Sequence, residues 1–188
     1  SVDGTKIGGN ETGSVTFDVT VRSGSLTGEI AVSTGDDEAT ERIVVVRDGP
    51  DCSEVQDYTR DSDGYLLVET VDQLQCIEQR GLGEDYRLAN DIDAYGTEHW
   101  NNGDGFEPIG DQQRYADHFS GDFDGQGYAI EGLTIDRYDE PFVGLFAVTY
   151  DFGGGGVGKG VTIESVQLED VDVRGKSVVG GLAGGAGG

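Results

Sequence analysis

The chain has 188 residues, 37 acidic against 12 basic side chains, a formal net charge of −25, 33 glycines, no methionine and 35% hydrophobic residues. No apolar run approaches the ~20 residues needed to cross a bilayer, and a surface this negative repels nucleic-acid phosphate instead of offering a duplex the cationic footprint it needs. The glycines keep no triplet period, which excludes collagen, and the apolar residues fall in short β-type runs, which argues for a folded chain over a disordered one.

Residues 1–50 read as a small antiparallel β region. Val15, Phe17, Val19 and Val21 alternate with polar residues, the pattern of a half-buried strand. Leu26 to Ser33 and Glu41 to Arg47 give two more strands, with turns at Ser23-Gly24-Ser25 and Gly35-Asp36-Asp37. The pattern suits part of an immunoglobulin-like sandwich, which needs about seven strands. Three strands cannot bury two faces, so this sheet is expected to pack on the rest of the chain or to borrow strands from another molecule. The first residues, Ser1-Val2-Asp3-Gly4, have neither the basic start nor the apolar stretch of a signal peptide, as expected of a processed product. Asn10-Glu11-Thr12 is a glycosylation sequon, which points to Asn10 as an acceptor outside the cell.

Residues 51–85 read as a connector and a capping helix. Tyr65-Leu66-Leu67-Val68 is a short strand, and Thr70 opens a helix with Gln73 as its capping-box partner. Val71, Leu74 and Ile77 form its apolar face, and Gly81 and Gly83 end it. Such a helix can cover the open end of a stack of strands. Cys52 and Cys76 are the two cysteines, and in an oxidising compartment they can close a disulfide between the connector and this helix.

Residues 86–188 hold very short apolar segments separated by glycine and aspartate. Leu133-Thr134-Ile135 followed by Val143-Gly144-Leu145-Phe146 is echoed by Val171-Asp172-Val173 followed by Val179-Gly180-Gly181-Leu182. The echo implies a period of roughly 36 to 38 residues, the mark of stacked supersecondary units. Short strands with glycine corners fit a parallel β-helix, with Ile130, Leu133, Ile135, Val166, Leu168, Val171 and Val173 facing inward. The fold class expected is therefore mainly β: a parallel β-helix preceded by a small antiparallel region and one short α-helix.

A succession of motifs runs through this half of the chain. It comprises Asp72-Gln73-Leu74, Tyr86-Arg87-Leu88-Ala89-Asn90-Asp91-Ile92-Asp93, Phe106-Glu107-Pro108-Ile109-Gly110, Phe119 to Gly127, Leu133-Thr134-Ile135, Val143-Gly144-Leu145-Phe146 and Gly180-Gly181-Leu182-Ala183-Gly184. In that order the motifs resemble haloarchaeal surface proteins with GLUG-motif repeats, over about residues 70–188. The resemblance implies a right-handed β-helix, an extracellular or cell-surface location, an adhesin-like role and no catalytic residues. This chain departs from the pattern in showing one clear GLUG element, with Leu145 and Val148 where the second copy has Gly181 and Gly184.

The residues offer few enzymatic alternatives. Asp122 and Asp124, two apart on a strand, share a face, and with Arg137 they outline the carboxylates and base of a calcium-dependent polysaccharide lyase. Their Phe-Asp-Gly-Gln-Gly setting reads better as a corner in which aspartate stabilises a turn. Oxygen-rich positions that suit calcium are Asp91 and Asp93, with Asp104 beyond them, and Asp122 and Asp124. Asp61-Ser62-Asp63-Gly64 looks like the middle of a calcium loop, but Thr59 and Thr70 stand where that loop needs its first and last ligands. His99 and His118 lack zinc-site spacing. The glycine run 153–160 lacks the ending of a phosphate loop. Trp100 is expected to pack, with sugar stacking the rival reading.

The acids are mainly aspartate (23 Asp, 14 Glu) and the bases mainly arginine (9 Arg, 3 Lys), which fits a halophile, because concentrated salt screens the self-repulsion of so acidic a fold. The expected function is non-enzymatic: an extracellular structural protein that assembles head-to-tail into a surface filament through unpaired strand edges. The residues expected at that contact are Val15, Phe17, Val19 and Val21 on one side and Val178, Val179 and Leu182 on the other. The partners are other copies of the chain, with surface glycans as a second class, and neither nucleic acid nor a membrane span. No cofactor is required, and calcium is the one metal the loops suit. The main alternative is an adhesin or carbohydrate-binding fragment of a larger surface protein.

Overall fold

The computed structural model describes residues 26–34, 37–45, 48–55, 57–110, 118–150 and 160–187. Val15, Phe17, Val19, Val21 and the sequon at Asn10 lie outside the described residues, as does the turn at Ser23 to Ser25. The chain divides into two compact units, residues 1–46 and 47–188.

In the first unit, β1 (Leu26–Thr34) and β2 (Asp37–Val45) form one antiparallel hairpin, with Leu26 opposite Val45 and Thr34 opposite Asp37. The second strand thus starts four residues earlier than the apolar pattern suggested. Its residues Asp37 to Thr40, three of them polar, pair with the far end of β1, and backbone pairing does not require apolar side chains. A hairpin is what the described residues of this unit show; an immunoglobulin-like sandwich is not among them.

The second unit is mainly β with two short α-helices, and its described strands close no barrel. It opens with β3 (Leu66–Val68), α1 (Val71–Gln75) and α2 (Ile77–Arg80). A first tier follows: β4 (Tyr86–Leu88), β5 (Ile92–Asp93) and two 3-10 turns, Tyr95–His99 and Asn101–Gly103. A second tier holds β6 (Phe123–Asp124), β7 (Ala129–Glu131), β8 (Thr134–Arg137), β9 (Phe142–Val143) and β10 (Phe146–Tyr150). The third holds β11 (Ile163–Glu164), β12 (Gln167–Glu169), β13 (Asp172–Gly175), β14 (Val178–Val179) and β15 (Ala183–Gly187).

Each strand pairs in parallel with its counterpart in the next tier. Tyr86 lies beside Phe123, and Phe123 beside Ile163; Ile92 lies beside Ile130, and Ile130 beside Leu168. Ile135 pairs with Val173, Val143 with Val179 and Phe146 with Ala183. The advance from tier to tier is 36 to 40 residues, slightly wider than the echo in the sequence implies. It changes between β14 and β15, so Val148 faces Gly185 and not Gly184. The stack also begins earlier than expected, because β3 joins the sheet of β4, β6 and β11.

Tight corners break the long apolar runs into these short strands. Tyr128 to Ile135 splits into β7 and β8 at Gly132, which has φ +71°; a Cβ there would lie 2.3 Å from the Tyr95 ring. Val161 to Val173 splits in the same way, at Ser165 and Asp170, whose φ values are 55° and 50°. At Gly125 a Cβ would lie 2.4 Å from the Ser165 carbonyl oxygen, so the approach of the third tier itself demands glycine.

The core runs up the inside of the stack. Tyr86, Phe123, Ile92, Ile130, Leu133, Ile135, Val143 and Phe146 are all buried. Phe119 and Phe123 pack on Phe146, with ring centroids 4.8 and 5.3 Å apart. Trp100 is buried against Phe106 and is therefore a packing residue, not a platform for a sugar ring.

At the N-terminal end of this unit, Leu74 and Ile77 are buried in the same core as Leu66 and Val68. The Thr70 hydroxyl accepts the Gln73 amide at 3.2 Å, as in a capping box, while Gln73 Oε1 reaches one residue further back, to the Glu69 amide at 2.7 Å. The single helix expected is broken at Cys76, whose amide donates to the carbonyls of Asp72 and Gln73. There a disulfide ties Cys76 to Cys52, with a Cα–Cα distance of 5.4 Å. The free edge of β3 is covered too: Leu67 N donates to Thr59 O at 2.8 Å and Asp61 N to Tyr65 O at 3.0 Å.

Candidate functional site

Side chains of one tier hold the backbone of the next. Asp85 Oδ1 accepts the Asp122 amide at 2.9 Å, and Asp122 Oδ1 accepts the Thr162 amide at 3.0 Å. Asp91 Oδ1 accepts the Ala129 amide at 2.9 Å, and the Thr97 hydroxyl accepts the Thr134 amide at 2.9 Å. Corners interrupt the ladder and leave amides without a strand partner, and these short polar side chains satisfy them. Two of the four carboxylates expected to bind metal, Asp91 and Asp122, are thus used as staples between tiers.

The other two are also engaged. Asp93 Oδ1 accepts the Tyr95 amide at 3.2 Å. Asp124 accepts the Gln126 amide at 2.8 Å and the Arg87 Nε at 3.2 Å. Asp122 and Asp124 do line one shallow cavity of about 80 Å³, together with Tyr65, Phe123, Thr162 and Glu164. No group of three or more His, Cys, Asp or Glu side chains among the described residues is arranged to hold a metal ion. Arg137, the candidate base, is held by Glu140 at 3.0 Å and by the Phe106 carbonyl.

Arg87 is the electrostatic hub of this face. It bonds Asp61, Asp63 and Asp124, and it lies over the Tyr65 ring at 4.1 Å. Desolvation works against its charge, but the three carboxylates outweigh that and raise its pKa. Burial likewise pushes the Asp61 carboxyl up; the Tyr65 and Asp63 amides and Arg87 overcome it and hold the group below its ordinary value. The Asp61-Ser62-Asp63-Gly64 turn is therefore an arginine clamp.

The third tier differs from the other two. Val161, Ile163, Val166, Leu168, Val171, Val173 and Leu182 pack on the core only in part, while their counterparts Phe123, Ile130, Leu133 and Ile135 are fully covered. Val178 and Val179 are 44% and 42% exposed. Among the described residues, β11 to β15 pair on one edge only. Of the residues expected at an assembly contact, Val178, Val179 and Leu182 thus lie on this half-covered tier. His99 sits at the surface beside Glu98, and His118 is buried.

The staples Asp85 and Thr97 and the hub Arg87 were not picked out by sequence reasoning. The signal was present: Asp85-Tyr86 and Asp122-Phe123 are the same acid–aromatic pair, 37 residues apart. No helix among the described residues is long and apolar enough to cross a membrane.

The chain matches no family model and no solved structure. It is similar to halomucin of Haloquadratum walsbyi (strain DSM 16790 / HBSQ001), with 36% identity over 197 aligned residues, which span 95% of this chain. A protein of Evansella cellulosilytica described as a "Putative Gly-rich membrane protein" is 39% identical over 90 residues, or 46% of this chain. The chain spans 2% of the first relative and 10% of the second.

Proposed function

We propose that this chain is a non-enzymatic structural stretch of a cell-surface protein of a halophilic archaeon. In this reading the tiers are coils of a parallel β-helix, right-handed as such crossovers are. One end is closed by α1 and α2. The observation that carries the reading is the similarity to halomucin over nearly the whole chain. Supporting it are the excess of acid and the disulfide, a bond kept in oxidising surroundings. The carboxylates that an enzyme would need are spent on staples and on Arg87.

The filament version of this reading has to take its donor strand from residues 14–21, because the first tier is already covered by the helices. Sizing and negative-stain microscopy in molar salt test it. Assemblies that Phe17→Asp abolishes support the filament, and a monomer at every salt concentration rejects it. Calcium-dependent release of unsaturated sugars from a polysaccharide would overturn the non-enzymatic assignment.

A further inference from the structure

We infer that Asn102 is a self-modification site: in the folded chain its carboxamide is lost as ammonia through attack by the Gly103 amide, leaving aspartate or isoaspartate in its place. The inference stands on one turn and is independent of what assembles on the stack.

The sequence has four asparagines, Asn10, Asn90, Asn101 and Asn102, and glycine follows only the last. The next residue matters because its backbone nitrogen is the nucleophile, and glycine alone has no Cβ to obstruct the approach and the widest choice of backbone angles. The structure separates the asparagines further. Asn90 Nδ2 donates to the carbonyls of Glu69 at 3.1 Å and Asp91 at 2.6 Å, and Asn101 Nδ2 donates to the Gly105 carbonyl at 2.7 Å. The exposed Asn102 carboxamide has no such tie to a described residue. Gly103 is open as well: a Cβ built on it meets nothing within 4 Å.

The step balances with water as its co-reactant. Gly103 N attacks Asn102 Cγ, a nitrogen–carbon bond forms, and the carboxamide nitrogen leaves with the amide proton as ammonia. The product is a five-membered succinimide. Water adding at the side-chain carbonyl opens it to aspartate, and water adding at the backbone carbonyl opens it to isoaspartate. Nothing is oxidised or reduced.

Two hydrogen bonds restrain the reaction. Gly103 N donates to the Trp100 carbonyl at 2.9 Å, and Asn102 N donates to Asp48 Oδ1 at 2.8 Å. The reacting form is therefore an opened turn, and a short exposed turn opens without global unfolding. The outcome reaches further than the turn. Either product sets a new carboxylate near Asp48 and Asp104 in a chain already at −25. Isoaspartate also adds a carbon to the main chain between buried Trp100 and Gly105, where a Cβ would lie 2.4 Å from the Thr134 carbonyl oxygen. The Asp104 carbonyl in the same turn accepts the Asp136 amide at 2.9 Å. The lesion thus loosens the hold of this turn on β8.

The whole chain is aged in molar sodium chloride at mildly alkaline pH and mapped by peptide mass spectrometry with electron-transfer fragmentation, which tells isoaspartate from aspartate. We expect Asn102 to convert to both products several-fold faster than Asn90 or Asn101, and the amides of residues 134–137 to exchange faster in the isoaspartate fraction. Asp48→Ala should speed the conversion several-fold. Asn102→Gly, which suits the φ of 58° without strain, should abolish the ammonia released from the folded chain. Earlier conversion at Asn90 or Asn101 overturns the proposal. So does an Asn102 that converts in urea but stays intact in the folded chain. An unchanged rate in Asp48→Ala overturns the restraint assigned to Asp48.

Discussion

Ser165 carries a left-handed backbone, φ 55°, at an exposed corner where the tier below has Gly125. A non-glycine residue pays for that conformation, and glycine adopts it without a steric penalty. We therefore expect Ser165→Gly to raise the urea midpoint slightly, by no more than about 1 kcal/mol in stability, because relief of the left-handed backbone is partly offset by the freer unfolded chain that glycine gives. The reverse change below it, Gly125→Ala, drives a methyl group into the Ser165 carbonyl and should loosen the third tier. The staples act at the same scale. Asp122→Ala removes the acceptor of the Thr162 amide and should cost about 1 kcal/mol, with faster exchange confined to residues 162–169. Asp61 gives a pH dependence of definite sign. Its folded pKa lies below the ordinary 3.8, so the stability it contributes is present above that value and is lost as the pH falls through the depressed one. Acid titration of Asp61→Asn should lack that part of the unfolding.

At the level of elements, the end that carries α1 and α2 is held by packing and by a covalent tie. α1 and α2 are short helices held by packing, not by propensity. Leu74 is wholly buried among Leu66, Val68 and Ile77, and Leu74→Ala should cost about 3 kcal/mol. The disulfide closes a loop with a sequence separation of 24 residues, and removing it through Cys52→Ser with Cys76→Ser should cost about 3 kcal/mol, read in urea unfolding. How legible these elements were depended on how local their causes are. The Thr70 cap, the Leu74 and Ile77 face and the echo at Val143 and Val179 are local patterns, and the structure places all of them where the sequence suggested. The break at Cys76 coincides with the disulfide to Cys52, and the corners at Ser165 and Asp170 and the shift between Val148 and Gly185 lie against the neighbouring tier; a linear pattern contains neither. The roles of the carboxylates were hidden for the same reason. Asp91 and Asp122 look like ligands in a row of letters, and only the register shows that each faces an amide one tier on.

For the whole molecule, the net charge of −25 is the governing quantity. The column of Asp93, Glu131 and Glu169 sets like charges side by side in consecutive tiers. Screening over about 3 Å at molar ionic strength removes most of that repulsion. The urea midpoint should therefore rise steeply with sodium chloride. Glu131→Gln should stabilise the chain by about 0.5 kcal/mol in dilute buffer and by nothing measurable in molar salt. A midpoint that does not depend on salt would contradict this. The parallel stacking of tiers is probed directly by a pair of register positions, half-buried Glu131 and exposed Glu169. In the variant Glu131→Cys with Glu169→Cys, mild oxidation followed by peptide mass mapping should find residues 131 and 169 joined, with the native bridge between Cys52 and Cys76 intact. The shifted pair Glu131→Cys with Asp172→Cys should stay unjoined. Equal cross-linking in the two variants, or none in the first, would contradict the stack.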